Sequence, residues 1–468
     1  MRYAKFYGRS GKVNKIGKGE TMKKRLWHKM IAAVLVGAMI FSIVGCNSVD
    51  RQGDQGGSGE PNTSANGAGT ETPDNFTVSA VNLMDDIRNT DKTLILPDYN
   101  PKTVQTKVTD FAVRLFQKSL EEEKNTLISP ISVLMALGMT ANGARENTLA
   151  QMEEAFGLSQ TEVNEYLWYY TNALSKENVK YNISNSIWMR DAEFLHVKED
   201  FLKKNFQYYN ADVYKAPFDN TTLKDVNHWI ENKTDGLVKD VLDQIPEEAI
   251  MYLINALVFE AEWAQTYEET EVRDKTFTTE DGKKQNVELM YSIENQFLEN
   301  EDVTGFIKYY KNQKYAFVAL LPKEGKTLQQ CVEGMSGESL RKLLENPTQI
   351  AVDAALPAFK TEYKILLNDV LVEMGMSDAF SSGAANFLDL GTSDRGNIYI
   401  GRVIHKTFIE VSPKGTKAGA ATVVEMHDEC APWYEEMKTV HLDRPFIYML
   451  IDCENNQPFF MGSCMSVE

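Results

Sequence analysis

The chain has 468 residues with a net charge of −18, and its 43% hydrophobic content is enough for a sizeable core. Residues 1–46 hold ten of the 49 Lys and Arg and one of the 67 Asp and Glu, so the remainder carries 39 against 66, a net −27. A surface that acidic excludes nucleic acid and anionic lipid headgroups as partners held by charge.

The chain opens with a basic, Gly-rich segment, and Met22-Lys23-Lys24-Arg25 then precedes an apolar stretch from Met30 to Val44. That stretch is short for a bilayer span and fits a signal-peptide core, with translation starting at Met22. It closes on Ile43-Val44-Gly45-Cys46, which resembles the lipobox of bacterial lipoproteins. The resemblance implies lipidation of Cys46 and a membrane-anchored, extracellular protein; an ordinary signal peptide with a chance Cys is the alternative. The expected organisation is a leader over 1–45, a Gly/Ser/Thr-rich tether over 46–75, an N-terminal extension over 76–103 and one α+β domain over 104–468.

Within the domain, Val108, Phe111 and Leu115 recur at helical spacing, and Ser129 opens a second helix with Pro130 at its first position. Thr148 to Phe156 gives another helical turn before Gly157. Leu253 to Phe259 is apolar except for Asn255, the pattern of a central strand buried on both faces. Asp281-Gly282 predicts a two-residue hairpin turn, and residues 311–314 join a second hairpin.

Thr407 to Val411 reads as a strand, and the run after it consists of small residues. A flexible linker is the plain reading of Lys414-Gly415-Thr416-Lys417-Ala418-Gly419-Ala420-Ala421-Thr422. The period of two argues further: Thr416, Ala418, Ala420 and Thr422 share one face of an extended strand, and Lys417, Gly419 and Ala421 share the other. Such a segment is able to stay exposed as a loop and later enter a sheet. A polar stretch from Glu425 to Thr439 follows, and a buried-strand pattern returns at Leu442 to Ile451.

Catalytic chemistry is absent from the sequence. No His-Glu-x-x-His, Cys-x-x-Cys, Gly-x-Ser-x-Gly or phosphate loop occurs, so no metal or other cofactor is expected and an enzyme is the remote reading. Cys331, Cys430, Cys453 and Cys464 read as buried thiols. If the last hairpin turns near Asn455-Asn456, Cys453 and Cys464 lie too far apart to pair.

Five separated motifs, in order, resemble the serpin family of serine protease inhibitors. They are Asn125-Thr-Leu-Ile-Ser129-Pro130-Ile-Ser132, Asn255-Ala-Leu-Val-Phe259-Glu-Ala-Glu-Trp263, the Phe408-to-Thr422 run, Asp443-Arg-Pro445-Phe446 and Pro458-Phe-Phe-Met461-Gly462. The resemblance implies a serpin-like fold, with helices around a large central mixed sheet, smaller sheets and an exposed reactive-centre loop. It implies suicide inhibition: a target protease cleaves the loop, forms an acyl-enzyme, and is trapped as the freed segment enters the sheet. Adding about a dozen main-chain hydrogen bonds at ~1 kcal/mol each releases on the order of 10 kcal/mol, so the uncleaved state persists kinetically.

The family pattern makes Gly415 to Thr422 the loop hinge, with Lys417 standing where the family usually has an acid. Counting from Gly415 places the scissile bond at Glu429–Cys430; counting back from Asp443 points near Tyr434, and Met426 would suit an elastase- or subtilisin-like protease. Asn125, Ser129, Ser132, Asn255 and His405 resemble the polar gate beneath the sheet, although His405 alone reads as a core histidine. Trp263 resembles the residue at the breach where the loop enters, with simple core packing as the alternative. The expected protein is a monomeric inhibitor of an extracellular serine or cysteine protease. A non-inhibitory serpin that binds or scaffolds is the other class.

Overall fold

The computed structural model describes residues 79–90, 94, 99–174, 176–191, 195–246, 249–394, 396–416 and 436–467. All of them fall within one unit, Glu71–Glu468. Its large sheet contains, in chain order, β1 (Val81–Asn82), β2 (Val179–Arg190), β3 (Asp212–Ala216), β4 (Met251–Glu262), β5 (Phe359–Leu366), β6 (Arg402–Ser412) and β7 (Gly415–Thr416). The spatial order is β1-β3-β2-β4-β7-β6-β5. β2 pairs with β3 in parallel, as does β4 with β6, while β2 with β4 and β5 with β6 are antiparallel. The sheet is therefore mixed, as the family resemblance implies.

A nine-stranded sheet packs nearby, with the spatial order Met437–His441, Thr348–Pro357, Lys284–Glu299, Val303–Tyr309, Tyr315–Pro322, Phe446–Asp452, Gln457–Cys464 and Thr126–Ile128. Val272–Thr278 also pairs with Lys284–Glu299. Tyr315–Pro322 and Gln457–Cys464 are buried along their whole length, which explains the unbroken apolar run of the first and the apolar stretch Pro458–Met461 of the second.

Three helices position the site. Helix α1 (Gln105–Ser119) buries Val108, Phe111 and Leu115. Helix α2 (Pro130–Ala141) is apolar on every side, and every one of its residues is buried. It starts where the sequence places it, because the Ser129 side chain accepts from Ser132 N and Pro130 fills a position whose N–H has no helical partner. Helix α3 (Asn220–Lys233) sets Val226, Trp229 and Ile230 into a second core with Trp188, Tyr252, Ile254 and Ile404.

Part of the stretch over 76–103 is now placed. β1 pairs with β3, Met84 and Ile87 are buried, and Ser79 donates through both its backbone N–H and its hydroxyl to Asp225. The hairpin at Asp281-Gly282 needs one correction. Thr279 N donates to Lys283 O and Gly282 N to Thr279 O, so the loop has three residues, 280–282, rather than two. Gly282 takes φ +81°, the left-handed residue that closes such a loop. The hairpin across residues 311–314 forms as expected. Cys331, Cys453 and Cys464 are free thiols, with Cys453 beside the final turn and Cys464 at the far end of the opposite strand; Cys430 lies outside the described residues.

Candidate functional site at the split in the central sheet

β4 and β6 pair directly at one end only, through Arg402–Tyr252, Val403–Leu253 and Ile404–Ile254. At the other end β7 lies between them: Gly415 faces Glu262 on β4 and Ser412 on β6, and Thr416 faces Ala261 and Val411. Residues 255–260 of β4 are paired on their outer side with β2, and 405–410 of β6 with β5. Among the described residues no strand pairs with either across the gap. The sheet thus holds a slot with its mouth at β7 and its floor at the Ile404–Ile254 pair.

The mouth is built around main-chain contacts. A Cβ on Gly415 would meet Ala261 O at 2.1 Å, so only glycine lets the chain turn between the two strands here. Thr416 is buried, and its hydroxyl hydrogen-bonds to the Tyr310 hydroxyl. Tyr310 in turn stacks on Trp263, with ring centroids 4.6 Å apart and planes within 10°. Trp263 N donates to Lys414 O at 3.0 Å and its ring Nε1 to Ser412 O at 2.9 Å, while Tyr267 N donates to Pro413 O at 2.9 Å. Trp263 therefore packs in the core and also holds the turn that feeds the slot.

Beneath this layer lies a buried ion pair, Lys308 Nζ 2.8 Å from Glu294 Oε1, with the ammonium 4.3 Å from the Tyr267 ring centre. Burial opposes the lysine's charge, but Tyr267 and Glu294 outweigh it and hold its pKa above the usual value.

At the floor, Ser129 N donates to His405 Nε2 at 2.9 Å. An acceptor nitrogen at Nε2 means a neutral ring, and burial pulls the His405 pKa down to about 4. Ser129 Oγ accepts from Ser132 N at 3.4 Å as the cap of α2. Across the slot, Asn255 Nδ2 donates to Asn185 Oδ1, while Asn255 Oδ1 is buried without a hydrogen-bond partner.

The structure thus groups Ser129, Ser132 and His405 on one side of the slot floor and Asn255 on the other. It places Asn125 elsewhere, where its side chain accepts from Met465 N and Ser466 N and donates to Ser466 O, tying the C-terminal residues to the strand Thr126–Ile128. The sequence reading missed Asn185, which sits opposite Asn255 in the β2–β4 register. Its mark in the sequence is an Asn flanked by Ser184 and Ser186, just ahead of the apolar Ile187-Trp188-Met189. Gly415 and Thr416 are placed; Lys417, Ala418, Gly419, Ala420, Ala421, Thr422, Met426, Glu429, Cys430, Tyr434 and Cys46 lie outside the described residues. Among the described residues, no group of three His, Cys, Asp or Glu stands together as a metal site.

Comparison with known proteins agrees with this architecture. The family model described as Serpin (serine protease inhibitor) matches residues 106–467. A serpin-like protein of Thermococcus kodakarensis is 28% identical over 80% of this chain and 88% of its own length. The leukocyte elastase inhibitor of Xenopus tropicalis is 28% identical over 77% of this chain and 98% of its own. The crystal structure of tengpin, a thermophilic serpin, in the native state superposes with a TM-score of 0.79 at 42% identity, covering 83% of this chain and all of tengpin. Family and fold support a role of the protease-inhibitor type rather than a catalytic one. The chain belongs to the serpin family.

Proposed function

We propose that this protein is an inhibitory serpin that traps a protease covalently when its reactive-centre loop, which leaves β6 through the hinge Gly415 to Thr422, is cut. The observation that carries the reading is the seating of Gly415 and Thr416 between β4 and β6, at the mouth of a slot that continues past them. Extending that register sets 417–422 opposite 260–255 on β4 and 410–405 on β6. The inward positions are then Thr416, Ala418, Ala420 and Thr422, all small, as fast entry beneath a packed layer requires. Thr422 arrives between Asn255 and His405 and offers a hydroxyl to the unpartnered Asn255 Oδ1.

The scissile bond in this reading is Glu429–Cys430, with Met426 and Tyr434 as alternatives. The target is an extracellular serine or cysteine protease. The protein acts as a monomer on the outer face of a bacterial membrane, held by lipid on Cys46 and spaced by residues 47–75. Several acyl chains at Cys46 would anchor it stably where one would not.

The test is a panel of subtilisin-like, elastase-like, trypsin-like, Glu-specific and papain-like proteases, read on denaturing gels and by mass spectrometry of the released C-terminal peptide. The name of the Xenopus relative keeps the elastase-like member in that panel. A covalent band is expected, with a peptide beginning at Cys430. Clean cleavage by every protease with no such band favours the scaffolding class. Loss of metabolic palmitate labelling in Cys46→Ser tests the anchor.

A further inference from the structure

The outer side of β2 is open over residues 179–185. β4 pairs with β2 along Val179 to Met189, whereas β3 covers the other side from Ser186 to Arg190 only. Among the described residues, no strand pairs with that side of 179–185. The register shows which peptide groups stand there. Arg190 N donates to Ile250 O, toward β4, and Asp191 N donates to Ala216 O, toward β3. The β2–β4 register runs without a shift, so even-numbered residues turn their N–H and C=O to β4 and odd-numbered ones turn theirs outward. Tyr181, Ile183 and Asn185 therefore present main-chain donors and acceptors along the open edge.

That edge is one wall of a cleft of about 630 Å³, and the cleft differs on the two faces of the sheet. On the face of Tyr181, whose hydroxyl hydrogen-bonds to that of Tyr170, the cleft is lined by half-buried Trp168 and Phe206, from the helices Gln160–Ala173 and Glu199–Tyr209. On the opposite face, where Trp188 packs with α3, Arg88 and Lys233 both pair with Asp212, which also accepts from Trp229 Nε1 at 3.2 Å. Two cations share one buried carboxylate, which leaves positive charge over on a chain whose net charge is −18. Asp85, 4.0 Å from Arg88, is exposed, and water screens its charge.

We propose that the open edge of β2 is a docking site for an extended segment of a partner protein in which apolar and acidic residues alternate. Such a segment adds a strand beside Tyr181, Ile183 and Asn185, in line with β3, and its main chain pairs with their outward groups. Side chains on one face of the added strand meet Trp168 and Phe206, and those on the other meet Arg88 and Lys233. Main-chain pairing supplies affinity, and the two unlike faces supply selectivity. A basic segment would set like charge against the two cations. β4 separates this edge from the slot, so the proposal stands whether or not the protein captures a protease.

The test uses the full, uncleaved chain and two capped, fluorophore-labelled hexapeptides, one alternating Asp and Leu and the other alternating Lys and Leu. Fluorescence anisotropy measures affinity, and amide hydrogen exchange locates the bound peptide. The Asp-Leu peptide is expected to bind about tenfold more tightly than the Lys-Leu peptide, with the gap narrowing in high salt, and to slow exchange over 179–185. Ile183→Pro removes one outward N–H and leaves the β2–β4 ladder intact, so it should weaken the Asp-Leu peptide about fivefold, the worth of one net hydrogen bond. Lys233→Gln should weaken the Asp-Leu peptide and leave the Lys-Leu peptide no weaker, a selectivity that a merely structural effect would not produce. Thermal midpoints of the two variants establish that each is folded. Equal affinity for the two peptides, or an Asp-Leu affinity unchanged by both substitutions, would overturn the proposal. Slowed exchange at 255–260 and 405–410 with 179–185 unchanged would overturn it too, because the peptide would then fill the slot instead. So would the absence of binding at millimolar peptide.

Discussion

The hydroxyls of Thr416 and Tyr310 hydrogen-bond to each other inside the core, so the loop that leaves β6 has already placed its second residue between β4 and β6. The Tyr310 ring is fully buried against Trp263, and burial pushes its pKa far above the ordinary phenol value, keeping the hydroxyl protonated as a donor or acceptor at every physiological pH. Removing that hydroxyl in Tyr310→Phe should lower stability by about 1 kcal/mol through the lost hydrogen bond. Faster cutting near residue 417 by a non-specific protease should accompany the loss, and urea unfolding together with limited proteolysis checks both. Unchanged values in both would show that the bond does not hold the hinge.

His405 ties stability to pH. Its pKa in the folded state is about 4, pulled down by burial, against ~6.5 in the unfolded chain. Between those values the unfolded chain binds the extra proton, so stability is undiminished above about pH 6.5 and falls as pH drops toward 4. The full loss attached to this ring is about 3 kcal/mol. His405→Gln should flatten that part of the profile, and urea midpoints between pH 7.5 and 4.5 measure it. Parallel slopes in wild type and variant would mean that other groups carry the dependence.

The Lys308–Glu294 pair gives the third expectation. Lys308 is almost wholly inaccessible, so Glu294→Gln leaves a buried ammonium facing an amide and the Tyr267 and Trp263 rings, with no carboxylate to balance it. Breaking a buried pair from one side costs about 3–5 kcal/mol. Replacing both residues at once, with Lys308→Met and Glu294→Gln, should cost less than Glu294→Gln alone. Denaturant unfolding of the three proteins decides the point.

Thr422 supplies the fourth. If the register at the slot mouth continues, this residue reaches the floor beside Asn255 and His405, where the only unfilled acceptor is Asn255 Oδ1 among the gate side chains described. Thr422→Val should cost the cleaved form about 1 kcal/mol and leave the uncleaved form unchanged. Thr422→Arg should stall insertion at that depth, because a guanidinium has no counter-charge there. Midpoints before and after nicking distinguish these outcomes, and equal effects on both forms would place Thr422 outside the slot.

A period of two is visible without any partner strand, so the sequence groups the hinge residues by face; of the group read as inward, Thr416 is the member among the described residues. Thr416, read as inward, is buried, and the helix start at Ser129-Pro130 follows from capping chemistry that is equally local. What stayed hidden depends on partners distant in the chain. Asn185 meets Asn255 only through the β2–β4 register, and Asn125 turns from the gate because the backbone of Met465 and Ser466 takes its side chain. The hairpin at Asp281-Gly282 was misjudged by one residue: a type I turn closed by a left-handed glycine contains the same dipeptide as a two-residue turn.

Amide hydrogen exchange on the intact and loop-cleaved protein tests the central claim most directly. In the intact chain the gap-facing amides of 255–260 and 405–410 have no strand partner among the described residues. They are expected to exchange readily before cleavage. They should become protected once the loop is cut, together with 417–422, as about a dozen new main-chain hydrogen bonds close the slot. Complete cleavage that leaves the exchange of β4 and β6 unchanged would contradict insertion into this slot.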